Sequence, residues 1–404
     1  RRFALLALAS ALLAGCVGSN PGSSPQDPKD LAVPSSDIHP SKQVATGGTL
    51  RIGVETFPAT FNPVHTDGVI STAPQILAPT IGSAIRIAND GSWSLDRDYA
   101  TSVKVTSKDP LVVRVELNRK ACWQGGTPIT SGDMVSYAAA MKSDDFAASA
   151  APAFDQIKSV VADGKFAYDV RFAEPTADWP SAIYPLLPAA ATKDPAVFNK
   201  AFTAKAPPAN GPFKVASIER KTGTIKLERN PRWWGERAKL DEITWRIGEA
   251  AVLARAYRAR AVEAIPVTAE NRLDFVETSH LRASAGSQWS HLTINGGSGP
   301  LADANVRRAV MLAIDTNEIV KQTSKQYAAR TEAMESVVVL PTQRGFTEGV
   351  GIKRDLKKAK KLLAEAGWQV EQGSTIVQKK GKLLTLRMPV PKGNQGAANR
   401  AKMI

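Results

Sequence analysis

Few of the residues able to do chemistry stand close enough together to do it. His39, His65, His280 and His291 are scattered, and His280 and His291 lie eleven apart with no cysteine converging on them. That is not the spacing of a metal site. Asp144 and Asp145 are adjacent, so on a helix they point in different directions and cannot work as a carboxylate pair. No G-x-S-x-G elbow, phosphate-binding Walker loop, G-x-G-x-x-G, H-E-x-x-H or C-x-x-C occurs. The chain is therefore expected not to be an enzyme and to need neither metal nor cofactor. The exception is Cys16. It closes Leu13-Ala14-Gly15-Cys16, after Arg1-Arg2 and the apolar stretch FALLALASALL. A basic start, a short apolar run and small residues before a cysteine are the marks of a bacterial lipobox, in which the thiol takes a diacylglycerol. An ordinary cleavage site with an incidental cysteine is the alternative. Cys122, between Ala121 and Trp123, is then alone, so a disulfide framework is excluded and a buried inert thiol is expected.

The rest of the chain must supply a scaffold. Its 404 residues allow two or three domains, and 43% apolar content suits a globular protein. No apolar run reaches the eighteen or so residues a membrane span needs. The formal charge is +14, but residues 351–404 hold thirteen Lys/Arg against three Asp/Glu. The body is nearly balanced, so nucleic acid is not an expected partner.

Residues 1–15 read as a signal peptide and 16–46 as a lipidated, disordered tether; 17–46 contain five prolines and six serines. Folding is expected to begin at Gly47, with a short strand through Val54 and a turn at Phe61-Asn62-Pro63 into the loop His65 to Val69. Strands are predicted over 111–118 and 165–172 from their alternation. Thr130 or Ser131 should cap a helix with Met134, Ala138 and Met141 facing inward. Residues 179–188 read as a Pro-rich apolar connection. Residues 287–295 are predicted as a strand, 303–315 as a capped amphipathic helix, 355–367 as a lysine-faced helix ended by Gly367, and 383–388 as a strand.

The clearest pattern runs from Asn210 to Gly248. Phe213 and Val215, Ile225 and Leu227, and Ile243, Trp245 and Ile247 alternate with polar neighbours, predicting three strands. Gly223 and Pro231 punctuate them, and Trp233 and Trp234 form an aromatic plug. The spelling N-G-P-F-K, then L-E-R-N-P-R-W-W-G, then K-L-D-E-I resembles the signature block of the peptide/nickel substrate-binding proteins of ABC transporters, family 5. Trp123-Gln124-Gly125-Gly126-Thr127-Pro128 is similar to that family's Trp-x-Asp-Gly-Thr-Pro, with Gly125 in place of the acid. The stretch Val306 to Asp315 is similar to its V-R-x-A helix. Arg260-Ala261-Val262-Glu263-Ala264 stands where the family writes Gly-Glu-Val-Asp, an eroded match that weakens the helix expected before it.

The resemblance implies an α/β, two-lobed periplasmic-binding-protein type II-like fold with mixed sheets. Lobe 1, with its extra subdomain, would span 47–286, and 287–404 would be the first part of lobe 2. The family runs on past the point matched by Ile404, so the second lobe is expected to be incomplete here. Its Trp-x-x-Asp-Tyr-like segment, whose acid grips a peptide's amino terminus, is expected to fall outside the chain. Relatives line the cleft with an acidic-Gly-Val loop and with the strand entering lobe 2. That makes Asp67, Gly68, Val69, Trp289, His291 and Asn295 ligand-binding candidates; a solvent turn, a core Trp and a solvated His are the alternatives. The function implied is that of an extracytoplasmic, monomeric lipoprotein on the outer face of the cell membrane. It would bind small peptides or similar solutes and deliver them to ABC permease subunits. The spelling from Asp90 to Val105 also resembles an actinobacterial branch with roles in cell-wall or glycolipid assembly, which keeps a non-transport envelope lipoprotein open.

Overall fold

The computed structural model describes residues 39–88, 90–267, 289–327, 333–334, 336, 339–340, 343, 345–347, 352–370, 376–390 and 395–404. The signal segment and Cys16 lie outside them. Part of the expected tether does not: Ser41–Gln43 form a 3-10 turn, and Ser41 Oγ donates to Glu236 at 2.7 Å, so these residues lie against the body.

Strand β1 (Thr49–Val54) is the short strand expected after Gly47. The segment His65 to Val69 is not a plain loop, because Thr66–Val69 close one helical turn, α1, followed by α2 (Ala73–Leu77). A small hairpin joins β2 (Ile85–Ile87) to β3 (Trp93–Leu95). β4 (Ala100–Lys108) and β5 (Leu111–Leu117) follow, then α3 (Ser131–Met141), β6 (Ile157–Ala162) and β7 (Ala167–Phe172). These strands make one antiparallel sheet in the order β4-β5-β7-β6. Leu111, Val113, Val115 and Leu117 all face the core. Arg114, on the other face, is drawn to Asp163 and Asp169. Met134, Ala138 and Met141 of α3 are buried, as their spacing predicts, and Tyr137 is buried beside them. Its start is fixed by Asp133, whose carboxylate accepts from the Thr130 N–H at 2.8 Å and from the Ala189 N–H at 2.7 Å. That second bond joins α3 to α4 (Ala189–Thr192), which leads into α5 (Pro195–Lys200).

The three strands predicted between Asn210 and Gly248 are present: β8 (Phe213–Glu219), β9 (Thr224–Arg229) and β10 (Glu242–Ile247). They form a second sheet in the order β1-β10-β9-β8, with β1 parallel to β10 and the other pairs antiparallel. Leu50 faces Ile243, and Ile52 faces Trp245. Phe213, Ile225, Leu227, Ile243 and Trp245 are buried in the same core as the first sheet and α3.

Helix α6 (Ala250–Arg258) forms firmly despite the eroded motif after it. Its end is a complete Schellman closure: the Ala261 N–H donates to Ala256 O at 2.8 Å, and the Arg260 N–H to Tyr257 O at 2.9 Å. Arg260 takes the left-handed position, φ 55°. Val262 is buried, and Glu263 is hydrogen-bonded to the backbone and side chain of Arg51.

Residues 289–295 form no strand, contrary to the alternation of 287–295, and Trp289 to Asn295 are largely exposed. Among the described residues no strand pairs with this segment, and alternation alone does not make a strand. Beyond them lie α7 (Ala304–Ala313), capped by Asp303, and α8 (Thr316–Tyr327). α9 (Leu356–Glu365) is capped by Asp355 and closed by Gly367 at φ 80°. A short sheet of β11 (Gln369–Val370), β12 (Val377–Lys379) and β13 (Lys382–Leu383) follows, then α10 (Gln395–Ala401). The strand predicted over 383–388 is reduced to Leu383, the last residue of β13. Val306, Ala366 and Trp368 make a second, much smaller cluster.

Candidate functional site

The turn that carries Asp67, Gly68 and Val69 is held from beneath. Asn62 is fully buried; its Oδ1 accepts from the Val64 N–H at 3.1 Å, and its Nδ2 donates to Phe198 O at 3.0 Å. The Thr66 N–H donates to Ala147 O, and the Ser149 N–H to Val64 O, so the segment is sewn to the chain beside α3. His65 caps α1: its Nδ1 accepts from the Asp67 N–H at 3.1 Å, which requires that nitrogen to be unprotonated. Gly68 is buried, and a Cβ there would overlap the Asn62 carbonyl. Glycine is the residue that lets the backbone lie this close.

The result is a stiff platform with an exposed top. The Asp67 side chain is 67% exposed, with His65 Nδ1 3.8 Å from its carboxylate. Val69 and Ile70 stand beside it, at 42% and 84% exposure. An acid flanked by exposed apolar groups on a rigid backbone suits a ligand carrying a cationic end and an apolar body. Ile70 and the capping role of His65 are what sequence reasoning missed. The Gly-Val spelling pointed to the turn, but an apolar residue becomes a surface group only through packing.

The other candidates lie apart from this turn. Trp289 is 46% exposed and packs at 6.4 Å against His291. Asn295 Oδ1 accepts from the Gly297 N–H at 2.9 Å, the bond of a local turn. Among the described residues no hydrogen bond or ring contact links Asp67, Gly68 or Val69 to Trp289, His291 or Asn295.

The block from Asn210 to Trp234 builds scaffold. Asn210 clamps Gly82 through both backbone groups: its Oδ1 accepts from the N–H at 2.8 Å and its Nδ2 donates to the carbonyl at 3.2 Å. The Tyr99 hydroxyl donates to Asn210 O at 3.1 Å, passing through space that a side chain on Gly82 would fill. Trp233, Trp234 and Tyr184 pack around the Tyr99 ring at 5.5–5.8 Å. Trp234 Nε1 donates to Asp98 O. Burial, reinforced by Asp96, pushes the Asp98 carboxyl above the usual carboxylate range. Burial also raises the Tyr99 hydroxyl.

A pocket of about 540 Å³ opens against this cluster, walled by Leu77, Ile81, Ile85, Tyr99, Leu186 and Trp233. Arg86 and Asp96, paired at 2.7 Å, contribute its charge. Asp67, Gly68 and Val69 do not line it. Cys122 is half-buried rather than buried; desolvation raises its thiol, and its Sγ lies 3.6 Å from Arg232 O. Among the described residues no cluster of three His, Cys, Asp or Glu is placed to hold a metal, and no helix is long and apolar enough to cross a membrane.

A mixed and an antiparallel four-stranded sheet, packed with helices about one core, give an α/β architecture, that of the two-lobed binding proteins. Solved structures share it. The periplasmic EDTA-binding protein EppA matches with a TM-score of 0.75 and 25% identity, over 89% of this chain and 71% of that one. The Bacillus subtilis oligopeptide-binding protein AppA, solved with a nonapeptide, matches with a TM-score of 0.65 and 21% identity, over 84% and 68%. The chain belongs to the bacterial extracellular solute-binding proteins, family 5, whose middle region matches residues 95–404. It is 31% identical over 353 residues to the oligopeptide-binding protein OppA of Mycobacterium tuberculosis, covering 84% of this chain and 59% of that protein. It is 26% identical over 394 residues to "Probable monoacyl phosphatidylinositol tetramannoside-binding protein LpqW" of the same species, covering 92% and 59%. The chain thus spans about three fifths of the length of these relatives.

Proposed function

We propose that the protein is an extracytoplasmic substrate-binding protein of an ABC importer, anchored through a lipidated Cys16, that binds oligopeptides and hands them to the permease. The carrying observation is the 31% identity to OppA across 84% of the chain. In this reading residues 47–286 form lobe 1 and 287–404 begin lobe 2. Ligand stabilises the closed form by touching both lobes, Asp67, Gly68 and Val69 from one side and Trp289, His291 and Asn295 from the other. Peptide is held mainly along its backbone, which tolerates varied side chains. The protein acts as a monomer without metal, cofactor or nucleic acid.

A second reading rests on the similarity to LpqW over 92% of the chain: an envelope lipoprotein of the same fold that serves cell-wall or glycolipid assembly rather than transport. Native mass spectrometry of protein purified without denaturant separates the two. A ladder of bound short peptides, lost in Asp67→Asn with a roughly tenfold fall in peptide affinity, supports the carrier. A protein that stays bare with added peptide pools, or that carries a glycolipid mass, overturns it in favour of the second reading.

A further inference from the structure

We propose that α9 and the β12–β13 turn form a basic face that rests on an anionic lipid surface, held by charge and not by insertion. On a helical wheel Lys360, Lys357, Lys361 and Lys358 fall within an arc of about 160°. All four are exposed. The opposite arc is largely used: Ala359 is buried and Leu363 packs with Trp368 and Val306, which leaves Leu356, 46% exposed, at the start of the helix. No continuous apolar stripe is left to enter a bilayer. Asp355 is engaged as the cap of the helix, its Oδ1 accepting from the Lys358 N–H at 2.8 Å. Glu365 reaches Lys361 at 4.0 Å, and among the described residues Lys357, Lys358 and Lys360 have no carboxylate partner.

The hairpin extends the face. Lys380 and Gly381 both have positive φ, 51° and 74°, the geometry of a tight two-residue turn, and Lys380 and Lys382 are exposed on it. Lys379 fastens this hairpin to the end of α9: its Nζ donates to Ala366 O at 2.7 Å and lies over the Trp368 ring. Residues 351–404 carry thirteen basic against three acidic residues, whereas the body before them is near balance. The inference rests on the proposed anchor at Cys16. In that reading residues 17–38, if they behave as a coil, would span roughly 25 Å, which keeps the body within reach of the headgroups.

The test is co-sedimentation of the full chain with vesicles of phosphatidylcholine alone and with phosphatidylglycerol added. Two variants accompany it: Lys357→Gln/Lys358→Gln/Lys360→Gln/Lys361→Gln, and a control of equal charge change, Lys104→Gln/Lys108→Gln/Lys158→Gln/Lys226→Gln. Binding to neutral vesicles is the background common to all three proteins. Above it, the anionic vesicles should hold the parent and the control, release both as salt rises, and lose roughly fivefold in partitioning for each α9 lysine removed. Equal loss in both variants would reduce the effect to net charge and overturn the proposal. So would parent binding no stronger to anionic than to neutral vesicles, or duplex DNA binding that depends on the same four lysines as strongly. The readout does not involve solute, so its failure is separate from failure of the carrier reading.

Discussion

Arg260 holds a position that glycine usually fills. It follows α6 in a complete Schellman closure at φ 55°, while Gly367 does the same work after α9 at φ 80°. A side chain in the left-handed region costs about 1–2 kcal/mol, partly offset by the extra chain entropy glycine brings. The Arg260 side chain is exposed, and the bond its carbonyl accepts from Arg51 survives substitution. Arg260→Gly is therefore expected to raise stability by about 0.5–1 kcal/mol in urea unfolding, and Gly367→Ala to lower it by at least as much. Asp98 makes a pH-dependent case. Burial and Asp96 raise its carboxyl, so the folded chain holds that proton more tightly than the unfolded one. Stability is then lost as pH rises through the folded value. Asp98→Asn should raise the urea midpoint at neutral pH, with the gain vanishing under acid conditions where the parent carboxyl is already protonated. A difference that ignores pH would show that the carboxylate charge is not the cause.

At the scale of elements, the turn of Asp67, Gly68 and Val69, proposed above to meet ligand, shows how a buried glycine sets the shape of an exposed surface. A Cβ at Gly68 has nowhere to go but into the backbone carbonyl of Asn62, a residue whose side-chain Nδ2 donates to Phe198 O on α5. Gly68→Ala should cost about 2 kcal/mol in stability. It should also weaken peptide binding more than a neutral surface change such as Val161→Thr, read by titration calorimetry. Unchanged affinity would remove the turn from the site. The same scale explains the signature block. Its spelling resembles the family's, and its residues build structure: Asn210 holds Gly82, and Trp233 and Trp234 pack on Tyr99. A motif kept by packing is long and ordered in sequence because every member must fit its neighbours.

For the whole molecule, the two apolar clusters are unequal. One joins both four-stranded sheets and α3; the other gathers Val306, Ala366 and Trp368 with a few half-buried neighbours. Protection from exchange follows local burial. Hydrogen exchange should therefore find the amides of β5 opening only with the whole fold and those of α9 exchanging orders of magnitude faster. Matching rates would mean that the smaller cluster is locked to the larger one.

Local pattern by itself determined most of the two four-stranded sheets and α3. Alternation over 111–117 and 213–247, the spacing of Met134, Ala138 and Met141, and the closing glycine of α9 each follow from interactions within a few residues. Those rules are written in the chain. Tertiary structure decided what depends on a distant partner. Residues 289–295 alternate yet form no strand, α6 closes on an arginine because Val262 and Glu263 are anchored against the body, and His65 caps α1 where its ring meets Phe198 and the Thr66 N–H after it donates to Ala147 O. Whether Asp67 faces solvent or a neighbour is a matter of what packs beneath it, and spacing along a sequence does not carry that distance.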